Sequence, residues 1–222
     1  MFLLSKHTNV GKRIALAVVP GRHGGVGAAV AIAGRQPKAR LFATDIADQA
    51  ISRNQAAAKE QGYANLEFIL TDGRNIDFAD AMFDGVCCRY ALHHFPDINA
   101  TLADVRRVLK PGASFTVADV VRHPNDDQDF INQFQALKPD GHVRMRTADA
   151  LFDLLRRHGF AAAARFSSKI SFTRQLNAAY RDLIDATPPE ILALYDVEIA
   201  GGQAALTFDI LNVRFVASGA VR

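Results

Sequence analysis

Short apolar runs that end in a polar residue, each followed by a helical pattern, set the strongest limit on what this chain can fold into. Arg40-Leu41-Phe42-Ala43-Thr44-Asp45-Ile46 is the first clear case, the run into Thr71-Asp72-Gly73 the second, and Phe83 to Arg89-Tyr90-Ala91-Leu92-His93-His94 the third. Such alternation is expected of βαβ units, because parallel strands need a crossover helix between them. In a parallel sheet, ligands bind in the crevice outside the carboxyl ends of the strands. Successive strands that end in polar groups therefore predict one shared site.

The pattern predicts strands at Ile14–Val19, Arg40–Thr44, Leu66–Thr71, Phe83–Arg89 and Ser114–Val121. Between them fall helices at Ala28–Ala33 after a Gly-rich turn, at Ala47–Gln61 closed by Gly62, and at Asp97–Leu109 stopped by Pro111-Gly112. Further on, helices are expected at Asn125–Leu137, at Thr147–His158 between a Thr147 cap and Gly159, and at Gln175–Asp185 and Pro189–Ile199. Ala162–Phe172 reads as a sixth strand, and Ala205–Val221 as a closing strand or a tight hairpin.

With 222 residues, 49% of them apolar, the chain has material for one large core, and no linker, repeat or low-complexity tract divides it. A single domain over 1–222 is expected. Cys87 and Cys88 are the two cysteines; adjacent on a strand, they point to opposite faces and cannot build a disulfide framework. That usage fits a reducing compartment, no cleavable signal is visible, and a cytoplasmic location is expected. Ile14–Ala33 is mostly apolar, but Pro20, Gly21, Arg22 and His23 fall in its middle. A lone Arg at a bilayer centre costs about 2.5–3.5 kcal/mol, so strand, turn and helix account for the segment better than a membrane span.

Ala31-Ile32-Ala33-Gly34, Asp45-Ile46, Leu70-Thr71-Asp72-Gly73, Phe83-Asp84, Tyr90-Ala91-Leu92-His93-His94-Phe95, Val108-Leu109-Lys110-Pro111-Gly112 and the helix end Leu154–Phe160 occur in that order. Together they resemble the class I S-adenosylmethionine-dependent methyltransferases, and within them the small-molecule branch similar to ubiquinone/menaquinone C-methyltransferases. The resemblance implies an α/β, Rossmann-like seven-stranded sheet with helices on both faces and the last strand antiparallel. It further implies a cofactor-binding half at 1–122, a substrate-side half at 123–222, and S-adenosylmethionine as cofactor.

Residue by residue, the resemblance places Asp45 and Ile46 at the ribose, Asp72 and Gly73 at the adenine, and Gly25 and Gly27 where the backbone approaches the ligand. Asp45 or Asp48 could instead cap the following helix, and Asp72-Gly73 is also an ordinary turn pair. Arg89 and Tyr90 fall where the family lines the methionine end; Arg89 could equally hold an anionic substrate or form a surface ion pair. His93 and His94 stand beside the expected methyl group, where either could serve as a base for an acceptor that must lose a proton. Phe130, Phe134, His142, Arg144, Phe172 and Tyr180 come from segments that contribute to substrate binding in the family, although the aromatics could equally be core. No metal is expected, since no third His or carboxylate stands at fixed local spacing.

The first glycine-rich loop departs from the family pattern. In register with Asp45, Gly25 and Gly27 match the last two glycines, whereas His23 falls on the first glycine and Gly21 on the acidic residue. Only thirteen residues precede the first expected strand, where the family carries a helical cover. A methyltransferase-like module that binds a ligand or partner without methylating it is therefore the rival reading. A nicotinamide-dependent oxidoreductase ranks lower, because the Gly-rich turn does not carry a third glycine into the helix. Nucleic acid is disfavoured as substrate: the net charge is only +3, the basic residues are scattered, and Arg89-Tyr90-Ala91-Leu92 lacks the Asp/Asn-Pro-Pro-aromatic pattern of base-amino methyltransferases. The expected partner is a small-molecule substrate, and the apolar tail could supply a homodimer edge.

Overall fold

The computed structural model describes residues 14–18, 25–45, 48–71 and 76–218. The first half alternates strand and helix: β1 (Ile14–Val18), α1 (Gly25–Arg35), β2 (Arg40–Asp45), α2 (Asp48–Glu60), β3 (Leu66–Leu70), β4 (Phe83–Arg89), a 3₁₀ turn at Leu92–His94, α3 (Ile98–Val108) and β5 (Leu109–Val121). The second half holds α4 (Phe130–Ala136), α5 (Ala148–Arg157), β6 (Phe160–Gln175), α6 (Ala178–Ala186), α7 (Pro189–Ala193), β7 (Glu198–Ala200) and β8 (Gln203–Ala217).

The strands form one sheet in the order β3-β2-β1-β4-β5-β8-β6, with β7 paired to β8 off this path. β1 to β5 pair in parallel, and β8 lies antiparallel to both β5 and β6. Strand order reverses between β1 and β4, which is the topological switch point where a doubly wound sheet opens its crevice.

Side-chain alternation separates two cores. Phe115, Val117 and Val121 of β5 join Leu211, Val213, Phe215 and Ala217 of β8 in one apolar cluster, with Leu102 and Val105 of α3 and Leu151, Leu154 and Leu155 of α5. Ala118 and Val120 join Ala204, Leu206, Phe208 and Ile210 in the other, with α4, α6 and α7. Successive strand residues face opposite sides, so the two clusters lie on opposite faces of the sheet. α3 shows why it packs where it does. Ile98, Thr101, Leu102, Val105 and Val108 are buried at helical spacing, and Asp97 caps the helix by accepting the Ala100 N–H at 3.0 Å.

Three expectations need correction. Among the described residues the sheet has eight strands rather than seven, because Glu198 and Ile199, expected to end a helix, instead form a short strand with Ala200 that turns through Gly201 and Gly202 at φ +57 and +78 and makes a hairpin with the start of β8. Lys110-Pro111-Gly112 is not a turn ahead of a strand at Ser114 but an irregularity inside β5. Leu109, 1% exposed, already pairs with Phe83, and the register then jumps to Gly85 and Ser114, with Gly112 at φ +77. The segment expected as a helix from Asn125 is helical only from Phe130, because Asp126 spends both carboxylate oxygens on the Phe130 and Ile131 N–H groups. Among the described residues no helix is long and apolar enough to cross a membrane.

Candidate active site

The strand register brings the polar ends level. Val18 pairs with both Thr44 and Cys88, and Cys88 with Val117, so Asp45, Arg89 and Ala118 occupy the next layer and Asp119 the one beyond. Asp45 closes β2 and is 5% exposed; its carbonyl accepts the Thr71 N–H at 2.9 Å, tying the exit of β3 to the same edge. α2 begins at Asp48, so Asp45 stands outside that helix's cap position.

Tyr90 follows β4 in the left-handed region at φ +53, fixed by its N–H donating to the Ala118 carbonyl at 2.8 Å. A non-glycine residue there stores strain, of a kind that clusters at ligand sites. The Arg89 guanidinium lies 4.1 Å above the Tyr90 ring. After this kink the 3₁₀ turn carries His93 over the end of β5. Its Nδ1 is 2.6 Å from Asp119 Oδ1 and its backbone N–H donates to Oδ2 at 3.3 Å, while Oδ1 also accepts the Val120 N–H at 2.9 Å. A carboxylate only accepts, so Nδ1 carries a proton, and in the neutral ring that leaves the lone pair on Nε2. That is the arrangement of an oriented general base.

Two further imidazoles gather at this pair: His94 lies 4.2 Å and His142 5.8 Å from the His93 ring, centroid to centroid. His94 Nδ1 donates to the Gly141 carbonyl at 3.1 Å, and burial and then the neighbouring His93 hold it below the usual imidazole range. His142 is pushed down to about 4, by burial first and then by His93 and His94. Its Nε2 donates to Asn132 Oδ1 at 2.9 Å, since that oxygen also accepts the Met145 N–H. Residues 142–146 form a strap over the edge. The Val143 and Arg144 N–H groups donate to the His93 carbonyl, Arg122 N–H donates to the Arg146 carbonyl, and Asn132 holds both backbone groups of Met145.

Of the residues expected at a site, Asp45, Arg89, Tyr90, His93, His94, His142 and Arg144 lie along this edge or in its strap. Ile46, Asp72 and Gly73, like Gly21 and His23 of the divergent loop, lie outside the described residues; Gly25 and Gly27 sit in the first turn of α1. Phe130 and Phe134 are 1% and 0% exposed, and Tyr180 packs 4.6 Å from Phe134, so all three belong to the apolar cluster on that face of the sheet. Phe172, on edge strand β6, meets Phe208 edge-to-face at 5.6 Å between ring centroids. Sequence reasoning missed Asp119, Asn132 and Arg146. Asp119 had a usable signal, a lone acid within the apolar run Phe115–Val121, whereas the other two become visible only when the strap folds back.

Residues 24–117 match the family model described as a methyltransferase domain. The chain is 36% identical over 89 residues to the uncharacterized methyltransferase YcgJ of Bacillus subtilis, covering 39% of this chain and 35% of that protein. It spans less than half the length of the curated relatives it matches. A methyltransferase candidate from Bacillus halodurans C-125 shares the fold at TM-score 0.80 and 20% identity, over 94% of each chain. The 1,6-didemethyltoxoflavin-N1-methyltransferase of Burkholderia thailandensis, solved with its substrate and S-adenosylhomocysteine, shares it at TM-score 0.57 and 18% identity, over 94% of this chain and 72% of that one. The sheet order, the matched segment and these relatives agree on a likeness: residues 24–117 are similar to a methyltransferase domain, and the fold is that of solved methyltransferases.

Proposed function

We propose that this chain transfers a methyl group from S-adenosylmethionine to a small-molecule acceptor at the carboxyl edge of β2, β4 and β5. The observation that carries the reading is the convergence there of a buried carboxylate, Asp45, with a carboxylate-oriented imidazole, His93 on Asp119. The donor set suits the cofactor. Asp45 would accept the ribose hydroxyls, Gly25 and Gly27 would allow close backbone approach at the start of α1, and Arg89 and Tyr90 would border the methionine end. When bound, S-adenosylmethionine supplies an electrophilic methyl group. The chain's own task is then to place the acceptor in line and to take up any proton it loses, which falls to His93 Nε2. Relatives named for demethylmenaquinone and for 1,6-didemethyltoxoflavin support a small-molecule acceptor.

Calorimetric titration with S-adenosylhomocysteine tests the reading. Binding in about the micromolar range, near 8 kcal/mol, is expected; a wild-type protein that binds neither this product nor S-adenosylmethionine would refute methyl transfer.

A further inference from the structure

Arg146 is a cation with no use in what has been described. Its backbone carbonyl is pinned to Arg122, at the end of β5, and its neighbour Arg144 is pinned to His93. The guanidinium is half-buried, and among the described residues it makes no hydrogen bond or ion pair. Burial and the adjacent Arg144 both disfavour its charge, while Asp119 acts in the other direction from a distance. Asp119 does not pair with it, since both its oxygens are taken by His93 and Val120. Arg144 is partly engaged at 3.8 Å by Asp129, which also faces Arg122. The strap thus holds a half-buried guanidinium, without a hydrogen bond or ion pair among the described residues, within electrostatic reach of Asp119, the carboxylate that orients His93.

We propose that the methyl acceptor is a small organic carboxylate whose oxyanion is held by Arg146, with Arg144 beside it, so that its reacting O–H or C–H faces His93. This rests on the methyl-transfer reading above. A single uncommitted guanidinium matches a planar monoanion in bidentate fashion, and the nearby Asp119 charge opposes a dianion such as a phosphate monoester. In the transfer step the acceptor proton moves to His93 Nε2. The freed electron pair forms the bond to the methyl carbon, and the S–CH₃ pair stays on sulfur, leaving a neutral thioether. Asp119 offsets the imidazolium, which afterwards loses its proton to solvent.

The test is a ligand-observed NMR titration of the full chain, with and without S-adenosylhomocysteine, using 4-hydroxybenzoate against 4-hydroxybenzamide, salicylate against salicylamide, and phenyl phosphate. Each acid should bind about tenfold or more tighter than its amide, the scale of one charge-assisted contact. Arg146→Gln should abolish that preference while leaving S-adenosylhomocysteine affinity unchanged, and Arg146→Lys, which keeps the charge, should retain part of it. The proposal is overturned if no acid binds, if acid and amide bind alike, if Arg146→Gln keeps the preference, or if phenyl phosphate outbinds both acids. Loss of S-adenosylhomocysteine binding with the acid preference intact would instead remove the methyl-transfer reading and leave the anion subsite standing.

Discussion

Asp119 grips His93 from two directions, its Oδ1 2.6 Å from the ring Nδ1 and its Oδ2 accepting the backbone N–H at 3.3 Å. One buried carboxylate thereby fixes the tautomer and the plane of an imidazole supplied by the turn after a different strand. Because Asp119 acts through His93, it is a positioning residue, and a replacement that preserves shape but not charge separates this role from packing.

Asp119→Asn should therefore lower methyl transfer by about 10²–10⁴, the usual range for an aligned general base, with S-adenosylhomocysteine affinity unchanged. Nitrogen-15 NMR of the His93 ring provides a second readout that a purely structural role would not move. The wild type should show a protonated Nδ1, and the variant a mixture or the opposite tautomer. A variant that keeps both the wild-type tautomer and the wild-type rate would take Asp119 out of the chemistry.

Asp45→Ala should weaken nucleoside binding far more than it weakens the fold. Hydrogen bonds to a charged acceptor contribute roughly 1.5–3 kcal/mol each, so loss of the ribose contacts predicts an increase in Kd of at least about tenfold for S-adenosylhomocysteine. α2 begins at Asp48, three residues beyond Asp45. Equal affinity in variant and wild type would place the ribose elsewhere.

Much of this site is written locally. Asp45, Arg89, Tyr90, His93 and His94 follow directly on apolar runs, so strand periodicity alone delivers them to one edge. Arg146 and Asn132 are different. They reach the site through a non-local fold-back, in which Asn132 of α4 holds Met145 and Arg122 holds Arg146, and no short-range spacing encodes that pairing. The aromatics left open between pocket and core show a related limit: Phe130 and Phe134 have the same spacing whether they face a ligand or a core, and both are buried in the cluster that includes β8. β7 escaped notice because three residues carry too little periodicity to compete with an apparent helix after Pro189.

The left-handed Tyr90 makes an inverted prediction about glycine. At most strand ends Ala is tolerated at least as well as Gly, but φ +53 places a Cβ against the following carbonyl. Tyr90→Gly should therefore be more stable than Tyr90→Ala by about 1 kcal/mol, although both lose the packing and the Arg89 contact of the native ring. Urea denaturation of the two variants checks the order, and a more stable Tyr90→Ala would show that the chain does not kink after β4.

His142 makes stability fall in acid, and the sign follows from where its proton is held. In the native state its pKa is pushed down to about 4, while in the unfolded chain it lies near the ordinary value of about 6.5. Between those values the unfolded state binds more protons than the native one. Stability is thus intact above about pH 6.5 and falls as the pH drops toward 4. His142→Gln keeps an amide to donate to Asn132 Oδ1 but cannot titrate, so it should flatten the acid limb of a Tm-versus-pH curve. The change in slope should stay below about 1.4 kcal/mol per pH unit, the limit for one proton, because a half-exposed ring is partly screened. His94, lowered by the same burial and the same neighbour, leaves a residual slope. Parallel curves for wild type and His142→Gln between pH 7.5 and 4.5, values chosen to bracket about 6.5, would show that the strap does not hold His142 in its neutral form.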